Sequence, residues 1–185
     1  MIDWHIKRAA AILRQGGIVA YPSEGVWGLG CDPDNGEAVL RLLALKRRPW
    51  QKGLILIAAD FEALAPYIEV PSSETMERLN ASWPGPVTWL LPARESTPPW
   101  LRGSHRSLAV RVSAHPLAAA LCRRFGGAVV STSANPAGRP AARRRLQVQR
   151  QFGDDVDYIV PGAVGDLTRP TEIRDGLSGA VVRAG

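Results

Sequence analysis

Apolar runs of strand length alternate with stretches of helical periodicity along this chain. Residues 3–15 place apolar side chains at helical spacing, and Gly16 and Gly17 mark the end of the predicted helix. Residues 18–21 form an uninterrupted apolar run before Pro22, which predicts a buried strand. The glycine-rich segment that follows predicts a turn.

The same alternation predicts the remaining elements. A helix should begin near Asp34 or Asn35, where Asp34 and Glu37 resemble a capping box, and should end before Pro49. Further helices are predicted at 74–80, 116–124 and 144–152, and strands at 53–58, 87–91, 107–112, 128–131, 158–160, 171–174 and 180–183. We therefore expect an α/β fold in which one twisted, open, mixed sheet with flanking helices forms a single domain over residues 1–185.

The charge balance favours anionic partners. The chain has 23 Lys and Arg residues against 17 Asp and Glu, a formal net charge of +6, which suits polyphosphates and nucleic acids. The first residues include an acid and a histidine, and no later apolar run approaches membrane-spanning length, so we expect a cytoplasmic protein without membrane contact. Cys31 and Cys122 are far apart, and no metal site is predicted.

Polar side chains are concentrated near the ends of predicted strands, where open α/β sheets place ligands. Ser23 and Glu24 follow the first strand, in a segment that could equally be only a turn. Residues 131–135, with the sequence STSAN, could surround phosphate oxygens with hydroxyl and backbone N–H groups or form only Asx and Ser/Thr turns. The common P-loop and dinucleotide-binding motifs do not occur.

Cations are concentrated after the second predicted helix. Lys46, Arg48 and Lys52 could converge on a triphosphate, or they could form a solvated basic helix end. Arg111 lies inside the apolar run SLAVRV, where a charged residue needs a partner. A bound carboxylate would serve, and so would an internal Asp or Glu.

An ordered set of motifs carries a family resemblance. From about Gly17 to the C-terminus the chain contains, in this order, the motifs YPSEGVWGLG, KRRP with KGLILI, WPGPVT, SLAVRV followed by HPL, STSAN, VPG and TEIRD. Together they resemble the YrdC/TsaC family. The resemblance implies a YrdC-like fold with a positively charged concave face. It also implies a nucleotidyltransferase that forms L-threonylcarbamoyladenylate and pyrophosphate from L-threonine, bicarbonate and ATP for the t6A modification of tRNA.

The resemblance also implies roles for individual residues. Its K-x-R and S-x-N motifs place the catalytic roles on Lys46, Arg48, Ser133 and Asn135. The ATP contacts that it implies are Arg48, Lys52, Ser107, Ser133 and Arg183. The threonine contacts are Ser23, Arg111, Ser131 and Thr171. Gly25 departs from the commoner motif YPTET and removes one hydroxyl at the threonine end.

Further expectations concern cofactors and partners. Mg²⁺ would be carried by ATP, because the sequence has no carboxylate cluster that suggests a dedicated site. The chain ends after VVRAG, as short bacterial members do, and these are expected to pass their product to the TsaD, TsaB and TsaE proteins. We also expect Lys46 and Arg48 to be exposed in the absence of ATP, so that substituting either would impair adenylate formation and leave the fold intact.

Two other functions stay open. A non-catalytic protein that binds tRNA or double-stranded RNA, or acts in ribosome maturation, would use the arginine cluster Arg139, Arg143, Arg144 and Arg145. The same arginines could also be only a solvated helix face. Carbamoyl adenylation from carbamoyl phosphate is known in the YrdC-like domain of hydrogenase-maturation proteins, whose additional cysteine-rich domains do not match the two cysteines of this chain.

Overall fold

A mixed sheet forms the centre of the protein. The computed structural model describes residues 2–168 and 171–184. Within these residues the sheet has nine strands: β1 (Val19–Pro22), β2 (Trp27–Gly30), β3 (Ile55–Ala58), β4 (Val87–Pro92), β5 (Ser107–Val112), β6 (Val129–Ser133), β7 (Tyr158–Ile159), β8 (Glu172–Asp175) and β9 (Val181–Arg183).

The strand order differs from the chain order. The strands lie side by side in the order β7-β1-β2-β6-β3-β5-β4-β8-β9. Strand β1 is parallel to β7, β3 to β5 and β4 to β8, whereas the other neighbouring pairs are antiparallel. The sheet therefore brings β3, β5 and β6, which are distant in sequence, together at its centre.

Helices flank the sheet on both faces. In the described part of the chain they are α1 (Ile2–Arg14), α2 (Gly36–Lys46), α3 (Ser73–Ser82), α4 (Pro99–Arg102), α5 (Pro116–Phe125) and α6 (Arg145–Phe152), with 3-10 turns at Trp50–Lys52 and Gly153–Asp155. Asn35 caps α2 by accepting from the N–H of Ala38 over 3.0 Å, and Ser72 caps α3 from the N–H of Thr75 over 3.2 Å. None of these helices has the length and apolar character needed to cross a membrane.

Side chains of the central strands alternate between two cores. Leu56, Val110 and Val130 belong to the larger core, which also contains side chains of α2, α3, α4 and α6. Ile57 and Val129 project to the opposite face and pack with side chains of α1 and α5 in a smaller core. Both faces of the central strands are therefore buried, as expected for interior strands.

The helices α1 and α5 cover only part of their face of the sheet. The strand register places Arg111 beside Ile57 and Ser131 beside Ile55, so all four side chains project to the face of the smaller core. Ile55, Arg111 and Ser131 line an open cleft. The uncovered part of this sheet face is therefore available to a ligand.

The predicted α/β fold with a mixed sheet and flanking helices is confirmed, and β5 has the predicted bounds. The segment interpreted as a glycine-rich turn instead contains β2, which forms a hairpin with β1. A Cβ atom on Gly30 would lie 2.4 Å from the carbonyl oxygen of Val130 and 2.9 Å from the ring of Tyr21. Glycine is needed there for close strand packing, which a turn interpretation does not anticipate.

Two smaller differences concern helices. The short helix α4 was not predicted, because it has only four residues and no usable periodicity. The predicted capping box with Asp34 and Glu37 is wrong, since Asn35 supplies the cap of α2. Asp34 instead accepts a hydrogen bond from the hydroxyl of Tyr67 over 2.9 Å.

Candidate functional site

A cleft of about 320 Å³ lies on the uncovered part of the sheet. Its walls come from the β1–β2 turn, β3, β5, β6 and the C-terminal strands. The sequence-predicted site residues that line it are Ser23, Arg48, Arg111, Ser131, Ser133, Asn135, Thr171 and Arg183. Gly25, the departure from the family motif, also lines it. Ser131 and Ser133 lie within β6, so the cleft extends over the sheet face and not only over strand ends.

Two predicted ATP contacts lie in an adjoining pocket. Lys52 and Ser107 line this second space, which has a volume of about 270 Å³. Arg48 and Arg183 line both spaces. The predicted ATP-binding residues are therefore arranged around one pair of guanidinium groups.

The turn after α2 sends neighbouring cations in different directions. Arg47 adopts the left-handed conformation, with φ 52° and ψ 44°, and the N–H of Arg48 donates to the carbonyl oxygen of Leu43 over 2.9 Å. This turn leaves Arg47 exposed, buries Lys46 and directs Arg48 to the cleft.

Lys46 lies behind the wall of the cleft. Its side chain is only 4% exposed, and its Nζ atom donates to the carbonyl oxygens of Ser133 and, over 2.8 Å, of Asn135. The expectation that Lys46 is exposed is therefore wrong, because its ammonium group satisfies backbone acceptors at the end of β6. Burial, and then the charge of Arg48, lower the pKa of Lys46 to about 8.

The guanidinium groups of the cleft repel one another. Arg48 is half-buried rather than exposed, and its Nη2 atom donates to the carbonyl oxygen of Gly53 over 2.9 Å. Burial and the charge of Arg183 lower the pKa of Arg48, and burial and the charge of Arg111 lower the pKa of Arg183. An anion between these guanidinium groups would reduce the repulsion between Arg48 and Arg183 and between Arg183 and Arg111.

Arg111 has an internal counter-ion, which answers a question that the sequence left open. Its Nη2 atom lies 3.1 Å from Oε2 of Glu24, and both side chains are buried. Glu24 also accepts from the hydroxyls of Ser23 and, over 2.7 Å, of Ser113. Burial alone would raise the pKa of Glu24, but the Arg111 charge and the two hydroxyl groups outweigh it and lower this pKa below its ordinary value.

The predicted threonine contacts surround the same guanidinium group. Arg111 donates from Nη1 to the hydroxyl of Thr171 over 2.9 Å and from Nη2 to the hydroxyl of Ser23 over 3.2 Å. Ser131 lies on the adjacent wall of the cleft. The sequence distance between these residues is large, and the sheet order brings them together.

Asn135 shapes the loop after β6. Its Nδ2 atom donates to the carbonyl oxygens of Arg139 over 2.7 Å and Pro136 over 3.2 Å. Its Oδ1 atom is buried and has no hydrogen-bond partner among the described residues. The amide nitrogen of this side chain therefore holds the loop after β6.

The arginine cluster predicted for RNA lies outside the cleft. Arg139, Arg144 and Arg145 are exposed. Arg143 is exposed as well, but its guanidinium donates to the carbonyl oxygens of Leu167 and Thr168, each over 2.9 Å. Arg143 therefore holds the segment that precedes Thr171, a role that a solvated helix face does not include.

The sequence indicated Glu24 only as a polar residue after the first strand, not as the partner of Arg111, and it did not indicate Ser113. The demand of buried Arg111 for a partner was visible in the apolar run around it. Which acid would meet that demand was not visible, because Glu24 comes from the β1–β2 turn and its partner from β5.

The fold is similar to solved structures. P. abyssi Sua5 in complex with L-threonine has a TM-score of 0.89 and 31% sequence identity, with 94% of this chain and 51% of that chain covered. This chain therefore spans about half the length of that protein. E. coli YciO has a TM-score of 0.81 and 26% identity, with 94% and 84% covered.

Sequence relatives identify the family. The family model Sua5_yciO_yrdC, described as telomere recombination, matches residues 11–185. Threonylcarbamoyl-AMP synthase of Halorhodospira halophila is 59% identical over 180 residues, which cover 97% of this chain and 94% of that protein. The synthase of Nitrosococcus oceani is 58% identical over 181 residues, 98% of each chain. The chain therefore belongs to the Sua5/YciO/YrdC family, as the motifs predicted, and within it to the short threonylcarbamoyl-AMP synthases.

Proposed function

We propose that the cleft is the active site in which L-threonine, bicarbonate and ATP form threonylcarbamoyl-AMP and pyrophosphate for the t6A modification of tRNA. One observation carries this assignment of the site. Arg48, Arg183 and Arg111 line the same cleft, and burial together with a neighbouring guanidinium group disfavours the charges of Arg48 and Arg183. A triphosphate offers the negative charge that would stabilise such a cluster.

The ATP end of the cleft would lie beside Arg48 and Arg183. Their guanidinium groups can each donate two parallel hydrogen bonds to phosphate oxygens. Ser133 and Asn135 would face the nucleotide from the loop after β6, with Lys52 and Ser107 at the adjoining pocket. Lys46 would act from behind this loop by fixing its carbonyl groups and adding positive charge.

The threonine end would lie around Arg111. Ser23, Ser131 and Thr171 offer small hydroxyl groups on the cleft walls, which suit a small polar amino acid. The 31% identity to P. abyssi Sua5, whose structure contains L-threonine, supports this choice of ligand.

The chemistry requires positioning more than covalent catalysis. The threonine amine and bicarbonate form a carbamate and release water. A carbamate oxygen then attacks the α-phosphorus of ATP, the bond from this phosphorus to the β-phosphate oxygen breaks, and pyrophosphate leaves. The protein would hold the reactants in line and neutralise the phosphate charge, which are the main contributions of proteins to phosphoryl-type transfer.

Magnesium and macromolecular partners complete the proposal. No three His, Cys, Asp or Glu side chains within residues 2–168 and 171–184 form a group that could hold a metal ion, and Glu24 is already bonded to Arg111, Ser23 and Ser113. We therefore assign Mg²⁺ to the ATP phosphates. The product would pass to TsaD, TsaB and TsaE in the cytoplasm, for transfer to tRNA.

Mass spectrometry of the product tests this proposal. The purified protein is incubated with ATP, ¹³C-labelled bicarbonate and a mixture of amino acids, and a parallel reaction contains carbamoyl phosphate instead of bicarbonate. We expect a labelled threonylcarbamoyl-AMP, and pyrophosphate release that needs both threonine and bicarbonate. Adenylate formation only with carbamoyl phosphate, or pyrophosphate release without threonine, would contradict the proposal.

A further inference from the structure

Ser23 is held between two charged side chains at the threonine end of the cleft. Its hydroxyl donates to Oε2 of Glu24 and accepts from Nη2 of Arg111 over 3.2 Å. Both residues are buried, and Ser23 lines the cleft whereas Glu24 does not. The hydrogen-bonding direction of Ser23 is therefore set before a ligand arrives.

We propose that Glu24 is a positioning residue that makes Ser23 a hydrogen-bond acceptor toward the substrate, so that Ser23 contacts the amine or the hydroxyl of the amino acid and not its carboxylate. This inference rests on the proposed function of the cleft and adds the orientation of the amino acid within it.

The hydrogen-bonding capacity of its hydroxyl group decides what Ser23 can offer to a ligand. A serine hydroxyl has one proton and two lone pairs. Its proton is directed to the Glu24 carboxylate, which can only accept while it is ionised, and one lone pair accepts from Arg111. One lone pair remains for a ligand. An ionised substrate carboxylate has no proton to offer to it, but an amine and a hydroxyl each do.

At the other end of the Arg111 guanidinium group, the hydroxyl of Thr171 can donate a hydrogen bond to a ligand, whereas that of Ser23 can only accept one. The hydroxyl of Thr171 accepts from Nη1 of Arg111 over 2.9 Å, so its proton is left for a ligand or for the hydroxyl of Thr88 at 3.5 Å. An acceptor on the substrate, such as its carboxylate, therefore fits beside Thr171 and Arg111. The two ends of the guanidinium group thus offer opposite hydrogen-bonding character to an amino acid.

Glu24 is held firmly enough to enforce this arrangement. Its carboxylate accepts from Ser113 over 2.7 Å, and the N–H of Ser113 donates to the carbonyl oxygen of Ala58 over 3.0 Å. Gly165 packs so closely that a Cβ atom there would lie 2.6 Å from the backbone oxygen of Glu24. The side chain and the backbone of Glu24 are therefore both fixed by neighbouring segments.

The first test replaces the Glu24 carboxylate by an amide. In Glu24→Gln the side-chain N–H can donate to Ser23 and reverse its direction, so we expect the KM for threonine to rise about tenfold or more while the KM for ATP changes by less than about twofold. Glu74→Gln makes the same chemical change in an exposed ion pair with Arg78 and should leave both KM values unchanged. A wild-type threonine KM in Glu24→Gln would overturn the proposal.

The second test does not depend on the folding of a Glu24 variant. Dissociation constants are measured in Ser23→Ala and in the wild-type protein for threonine, for threoninol, which lacks the carboxylate, and for 2-aminobutyrate, which lacks the hydroxyl. We expect the substitution to weaken the binding of threoninol and of threonine by the same factor. A matching loss for 2-aminobutyrate assigns Ser23 to the amine, and no loss for it assigns Ser23 to the hydroxyl.

Two results of the second test would overturn the proposal. One is weaker binding of threonine with unchanged binding of threoninol, since Ser23 would then contact the carboxylate. The other is unchanged binding of all three compounds. Failure of the wild-type protein to form threonylcarbamoyl-AMP is a separate result, which would contradict the proposed function itself.

Discussion

Lys46 donates a hydrogen bond from Nζ to the carbonyl oxygen of Asn135 over 2.8 Å, although the two residues are 89 positions apart in the sequence. The K-x-R and S-x-N motifs are therefore one structural unit. Lys46 fixes the loop after β6 from behind, while Arg48 and Ser133 face the cleft from the front.

Lys46→Ala should affect both stability and activity. The substitution removes the ammonium group that donates to the part-buried carbonyl oxygens of Ser133 and Asn135, of which, among the described residues, only that of Ser133 keeps another donor, the N–H of Asn135. We expect the free energy of unfolding to fall by about 1–3 kcal/mol, the size of a lost hydrogen bond to a charged group. The loop after β6 would also lose its support, and the KM for ATP should rise. Urea unfolding and pyrophosphate release measure the two effects.

Lys52→Ala is the matched control for this experiment, because Lys52 is exposed. It should leave the unfolding free energy within about 0.5 kcal/mol of the wild-type value. Equal stability of Lys46→Ala and the wild-type protein would contradict the structural role of Lys46.

Arg48→Ala should mainly impair ATP binding. The substitution removes two hydrogen bonds to the carbonyl oxygen of Gly53 and a longer one to that of Lys52, but it also relieves repulsion from Lys46 and Arg183. We therefore expect little change in stability and a rise in the KM for ATP of roughly tenfold or more, the size of a lost charge-assisted hydrogen bond.

Arg47→Ala provides the neighbouring control, since Arg47 is exposed and points away from the cleft lining. Steady-state kinetics with varied ATP should give a wild-type KM for it. If Arg48→Ala and Arg47→Ala had the same ATP KM, Arg48 would lose its place in the nucleotide site.

Most of the fold was predictable because its strands are short apolar runs between clear turn signals. The run around Arg111 even indicated that a buried charge needed a partner. It could not indicate Glu24, because the contact depends on the order of strands in the sheet. Nor could sequence distinguish β2 from a turn, since its glycines are required by packing against Tyr21 and Val130.

The exposure of Lys46 was predicted wrongly for a local reason. A cation at the end of a helix usually reaches solvent, and the motif places three cations in a row. The left-handed conformation of Arg47 reverses the chain at this point, so that its two neighbours are turned inward. Only the tertiary position of the loop after β6 explains why an ammonium group is needed there.

The exposed arginines make a separate prediction about RNA. Arg144→Ala with Arg145→Ala should weaken tRNA binding and reduce its dependence on salt, because each phosphate contact releases counterions. Threonylcarbamoyl-AMP formation should be unchanged. Arg143 is left intact because its hydrogen bonds hold the segment before Thr171. Unchanged binding across a salt titration would assign these arginines to a solvated helix face.

Lys46 should make nucleotide binding and stability depend on pH in opposite directions. Its pKa is about 8 in the folded protein, against an ordinary value of 10.5. Between these values the unfolded chain binds more protons than the folded one, so the contribution of Lys46 to stability rises with pH. The folded protein loses a positive charge behind the cleft over the same interval, so its affinity for ATP should fall.

A non-hydrolysable ATP analogue, measured without threonine between pH 7.5 and 9.5, separates this effect from titration of the substrate amine. We expect the affinity to fall severalfold as Lys46 loses its proton, and the unfolding free energy of the apo protein to rise over the same range, or to fall less steeply than in Lys46→Met. Lys46→Met has no proton to lose, and its affinity for the ATP analogue should not change with pH over this range.

Cys31 and Cys122 do not interfere, because burial raises the pKa of each thiol to about 12. An equal fall in affinity for the wild-type protein and Lys46→Met would show that another group controls the pH dependence.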